Sequence, residues 1–143
     1  MNPARPLVQV RDLRRRFKEV EAVRGISFEI EPGQVVGFIG ANGAGKTTTM
    51  RMMATLELPT SGSIQIGGYN VVHHPLEVRR LIGWMPDAYG TYENMLVEEY
   101  LDFYARAFGF RGAERAQRVA EVMEFTNLDS IADRPVDRLS KGM

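Results

Sequence analysis

Apolar and polar positions alternate at the start of the chain, in the manner of strands with one buried face. The stretch "LVQVRDL" (residues 7–13) alternates in part, and "ISFEIE" (26–31) places Ile26, Phe28 and Ile30 on one face. Pro32 and Gly33 read as a turn. "QVVGFIG" (34–40) then runs apolar without alternation, the pattern of a strand buried on both faces. A glycine-rich loop leads into a helical pattern over 46–56, which "PTSG" (59–62) ends. "SIQI" (63–66) is another short alternating strand, turned by Gly67 and Gly68, and "RLIGWMP" (80–86) reads as a further buried strand stopped by Pro86.

After Asp87 the period changes. "VEEYLDFYARAFG" (97–109) sets Tyr100, Leu101, Tyr104 and Phe108 at helical spacing, with Gly109 as the stop. "AERAQRVAEVMEFTNL" (113–128) continues with Ala116, Val119, Ala120 and Met123 on one face. The pattern divides the chain into a strand-rich part, 1–88, and a helical lobe, 89–143, with the boundary falling near 87–96. The aromatic series Tyr89, Tyr92, Tyr100, Phe103, Tyr104 and Phe108 is expected to build the core of the helical lobe, and Met50, Met52 and Met53 to fill packing space. His73 and His74 lack ligand partners at useful spacing and read as an exposed turn.

Composition narrows the functional classes. Eighteen basic residues balance eighteen acidic ones, so no net field favours nucleic acid or an anionic membrane. The local basic run "RDLRRRFK" (11–18) reads as a charged strand edge. There is no cysteine, which excludes disulfides and thiolate metal sites. No apolar run reaches signal-peptide or membrane-spanning length, so a membrane role would pass through a partner.

The chemistry concentrates in "GANGAGKT" (40–47), a complete match to G-x-x-x-x-G-K-S/T placed between an apolar strand pattern and a helix. Gly40, Gly43 and Gly45 are expected to permit backbone conformations closed to other residues, so that successive N–H groups reach phosphate oxygens. Asn42 and Ala44 belong to the same cradle. Lys46 brings a point charge to the β- and γ-phosphates, and the Thr47 hydroxyl suits Mg²⁺. Such a loop indicates nucleotide binding without choosing among unrelated NTPases.

The neighbouring residues choose. "RGISFEIEPGQVVGFIGANGAGKTTTMRMMATLELPTSGSIQIGGYNV" (24–71) resembles the nucleotide-binding domain of ATP-binding cassette (ABC) transporters, and "LSKGM" (139–143) resembles that family's Leu-Ser-Gly-Gly-Gln signature. The resemblance covers essentially the whole chain and is nearest to single-domain ATPase subunits that pair with separate permeases. It implies an α/β P-loop fold with an antiparallel β arm and a helical lobe, the C-terminal core strands of that fold being absent from these residues. It also implies ATP and Mg²⁺ as ligands, a membrane permease subunit and a head-to-tail dimer of nucleotide-binding domains as partners, no nucleic acid, and a peripheral place on the cytoplasmic face of a membrane. A soluble ABC-type ATPase of translation or DNA repair, and a non-hydrolysing nucleotide-binding module, are the alternatives.

Residue by residue, the resemblance puts Phe17 where an aromatic stacks on adenine, Thr48 at an α-phosphate oxygen, and Ser140 and Gly142 against the γ-phosphate of a dimer partner. Phe38 and Ile39 are expected simply as core. The family's usual Gln, which links the lobes and meets Mg²⁺ and the attacking water, is replaced by Asp87. An aspartate can still ligate Mg²⁺, but it cannot donate a hydrogen bond and repels the γ-phosphate. Lys46 and Asp87 are the expected catalytic residues, and Thr47 and Asp87 the expected metal ligands; the other reading of Asp87 is a cap or turn former after Pro86. The family's second acidic strand and its switch histidine have no counterpart here; Glu98, Glu99, Glu121 and Glu124 read as solvated helix faces. These 143 residues alone are expected to fold marginally and to turn over ATP poorly or not at all.

Overall fold

The computed structural model describes residues 6–86, 90 and 92–140. Asp87, Tyr89 and Gly142 lie outside the described residues. The chain divides into two compact units, Met1–Met85 and Pro86–Met143.

In the first unit, β1 (Val8–Phe17) pairs antiparallel with β2 (Val20–Ile30) on one side and β3 (Ser61–Ile66) on the other. A two-residue β4 (Tyr69–Asn70) completes the order β2-β1-β3-β4. The register sets Val10 opposite both Phe28 and Ile64, so the alternation seen in the sequence lands on one shared apolar face. At Arg11 and Asp12 the ladder breaks in a bulge, with Asp12 at φ 41° and its N–H donated to Ser27 Oγ at 2.8 Å. One extra residue at that point lets Leu13 be buried along with Val8 and Val10 despite the odd spacing.

Helix α1 (Lys46–Met53) lies on that face through Met52. Met52, Leu13, Ile64 and Val78 are all fully buried, each contributing about 1.5–3 kcal/mol by the usual transfer arithmetic. Of the other two methionines, Met53 packs against this core and Met50 is exposed. Val78 comes from α2 (Pro75–Leu81), a helix the apolar pattern does not announce. Its signals are end signals: Pro75 in the first turn, Glu77 near the N-terminus, and Arg79 and Arg80 in the last turn. His73 and His74 are exposed in the turn before it.

The expected strands at 34–40 and 80–86 do not form. Residues 80 and 81 belong to α2, and neither segment joins a ladder among the described residues. Val35 and Ile39 are almost wholly exposed and Met85 nearly so. An apolar run buried on both faces needs a strand along each edge to satisfy its backbone groups. No described segment supplies one here.

The second unit is a helical hairpin, α3 (Val97–Ala107) and α4 (Gly112–Thr126). Glu99 starts α3 by accepting the Leu96 N–H at 2.9 Å, and Asn127 ends α4 in the left-handed region at φ 55°. Asp102 bridges the two helices, holding Arg106 of α3 and Arg115 of α4, each at 2.7 Å. The chain then returns beneath α3: Val97 donates to Arg134 O, and Val136 donates to Met95 O. What is buried is aliphatic, namely Val97, Ala105, Ile131 and Val136. The expected aromatic core is corrected accordingly. Tyr92, Phe103, Tyr104 and Phe108 are exposed, and the first three form an edge-to-face series on the surface with centroids 5.9 and 5.4 Å apart. A two-helix hairpin is too thin to enclose rings of that size. No helix among the described residues is long and apolar enough to cross a membrane.

Candidate nucleotide-binding site

The loop between β2 and α1 is shaped by two glycines in the left-handed region, Gly43 at φ 81° and Gly45 at φ 86°. Gly45 is also the residue immediately before the helix, and a Cβ there would lie 2.3 Å from the Ala22 carbonyl oxygen. Strand β2 therefore passes so close beneath the loop that only glycine fits. Gly40 differs from the expectation. Its backbone is not left-handed, and an added Cβ would make an ordinary contact with Ala44 at 3.4 Å.

A cavity of about 590 Å³ opens above this loop. Ala41 through Lys46 form one side, with Ala22, Val23 and Phe28 of β2 opposite. Phe38 packs edge-to-face on Phe28 at 5.3 Å, and Ile39, expected as core, instead lines the cavity while largely exposed. Thr49 also lines it and is almost fully buried. Sequence reasoning passed over Thr49 as the last of three threonines; its place one helical turn below the loop was the available signal.

Lys46 Nζ reaches back across the loop and donates to Gly40 O at 2.7 Å and Ala41 O at 2.8 Å. The ammonium is thus held over the mouth of the cradle by the loop's own carbonyls. The first-turn N–H groups of α1 have no acceptor within the helix, and Lys46, Thr47 and Thr48 occupy that turn. Free amide donors, the positive end of a helix and a fixed ammonium meet at one point. Donors of this kind suit an anion with several oxygens, as a phosphate is.

The remaining expected residues are placed as follows. Thr47 is exposed and Thr48 half-exposed, both at the N-terminus of α1. Phe17 ends β1 with 40% of its surface exposed and does not line the cavity. The guanidinium of Arg15 covers one face of its ring at 4.3 Å. Ser140 is exposed in the second unit, after a short 3-10 turn at Val136–Arg138. Among the described residues no group of three or more His, Cys, Asp or Glu side chains is gathered to hold a metal ion.

Comparison with known proteins agrees with this geometry. The family model described as ABC transporter matches residues 23–143. The chain is 37% identical to the Nod factor export ATP-binding protein I of Ralstonia nicotianae, over 96% of this chain and 43% of that protein. It is also 37% identical to the ABC transporter ATP-binding protein NatA of Bacillus subtilis, over 96% of this chain and 58% of that one. A solved structure of the ATP-binding subunit of an ABC transporter superposes with a TM-score of 0.75 at 31% identity, covering 96% of this chain and 57% of the other. The chain therefore spans about half the length of the relatives it matches. A glycine-rich loop at the start of a helix, a strand passing beneath its last glycine and a family match over residues 23–143 lead to one assignment: this chain belongs to the ABC transporter family.

Proposed function

We propose that this chain carries the nucleotide-binding front of a subunit that binds and hydrolyses ATP to drive transport through a separate membrane permease. The observation that carries the reading is the Lys46 ammonium held by two carbonyls of its own loop, Gly40 O and Ala41 O. Phosphate oxygens are stronger acceptors than amide carbonyls because they carry charge. An arriving triphosphate would draw the ammonium from Gly40 and Ala41, and the loop amides would close on the same oxygens.

Thr48 then faces the α-phosphate and Phe17 the adenine ring. Mg²⁺, when bound, would neutralise charge on the β- and γ-oxygens, and the Thr47 hydroxyl fits it as a hard oxygen ligand. Asp87 is the second proposed ligand. Ser140 and Gly142 would meet the γ-phosphate of a second copy in a head-to-tail dimer, with the assembly held at the cytoplasmic face through the permease. The relatives, an export ATP-binding protein and a transporter ATP-binding protein, support the transport role.

The test is nucleotide affinity and Mg²⁺-dependent turnover of the full-length protein carrying Lys46→Ala. Loss of a charge-assisted contact is expected to lower ATP affinity about tenfold to a hundredfold and to abolish turnover. Unchanged affinity would remove the phosphate role of the loop.

A further inference from the structure

Outside the loop, one charged side chain is held in a manner that packing alone does not explain. Arg15 points inward from β1, and its Nη2 pairs with Glu57 Oε1 at 2.7 Å. Both side chains are 22% exposed, less than any other ion pair among the described residues. The Arg15 Nε is buried without a hydrogen-bond partner. An unpaired buried donor costs stability, so an apolar residue would serve the fold better at this position. The guanidinium plane lies instead over the Phe17 ring.

We propose that Arg15, fixed by Glu57, is a positioning residue for base recognition: it backs one face of Phe17 and presents the other to the purine of the nucleotide. This rests on the reading of Phe17 as the base-stacking residue. A cation over one face fixes the ring and draws its π density toward itself, which favours an electron-rich heterocycle on the opposite face. Glu57 matters because of where it sits. It lies in the segment leaving α1, and that segment clamps the end of β1: Thr60 N donates to Arg14 O at 2.8 Å, and Arg16 N donates to Thr60 Oγ1 at 3.0 Å. The ring and the phosphate loop are thereby carried on one frame, at the two ends of α1 and its continuation.

The experiment compares two probes, ATP and inorganic tripolyphosphate, by equilibrium binding to the full-length protein. Phe17→Ala, Arg15→Ala, Arg15→Lys, Glu57→Gln and the double variant Phe17→Ala/Arg15→Ala are measured. Arg15→Ala is expected to weaken ATP about threefold to fivefold with tripolyphosphate unchanged, as befits a cation–π contact at a partly exposed site. Arg15→Lys should recover part of that loss and Glu57→Gln should show a smaller one. In the Phe17→Ala background Arg15→Ala should add nothing. The tripolyphosphate affinity doubles as the check that each variant folds. Equal losses for both probes would assign Arg15 a structural role and overturn the proposal. So would a gain in ATP affinity, which would mean that the guanidinium occupies the base's own place. If Phe17→Ala itself leaves the ratio of the two affinities unchanged, base stacking at Phe17 falls, and the role of Arg15 falls with it.

Discussion

Val10 stands in a stretch that alternates with polar residues and Val35 in an unbroken apolar run, yet Val10 is 1% exposed and Val35 fully exposed. The first lies on β1, with β2 on one edge and β3 on the other. The second lies in a segment that joins no ladder among the described residues. Local pattern says which residues favour an extended, buried state. It does not say whether the backbone will find partners, and without partners the burial does not follow.

Amide hydrogen exchange offers the largest test of that contrast. Central β1 amides should exchange at least about a thousandfold more slowly than those of 35–39, since core strands open only near the global unfolding free energy. Comparable protection of 35–39 in the intact protein would show that a strand from outside these 143 residues pairs with them. Substitution is next in size. Leu13→Ala should cost about 2–5 kcal/mol in urea unfolding, because its side chain is fully buried. Ile39→Ala, at a site 98% exposed, should stay within about 0.5 kcal/mol. A large effect at Ile39 would again point to an added neighbour.

The two ends of the phosphate loop give a smaller, sharper pair. Gly45→Ala should lower stability by about 1–2 kcal/mol for the left-handed backbone alone, with further loss from the contact to Ala22 O. Gly40→Ala should change stability by less than about 0.5 kcal/mol, since its added methyl meets only ordinary contact. Thermal unfolding measured together with ATP affinity separates the cases. Only Gly45→Ala should disturb both.

Much of the architecture was legible beforehand because it is local. The β arm, α1, α3 and α4 announce themselves by period, and Gly109, read as a helix stop, takes left-handed backbone just after α3. Helix α2 was hidden because seven residues are too few to show a period, and its end signals had to be read instead. Tyr92, Phe103, Tyr104 and Phe108 were misassigned because helical spacing marks one face without saying what covers it; a hairpin of two helices covers little.

In the candidate site, the residue types and spacing of 40–47 by themselves marked the loop proposed to cradle phosphate, since the glycines and the lysine fall within one short segment. Composition determined that these 143 residues supply no thiolate. Tertiary structure alone decided that Gly45, rather than Gly40, is pinned by a neighbouring strand, because the pinning atom belongs to Ala22 of β2. It alone decided that Lys46 rests on its own loop and that Arg15 and Glu57 meet behind Phe17 across 42 residues of chain. Contacts between distant segments depend on how strands and helices stack, and no local period encodes that.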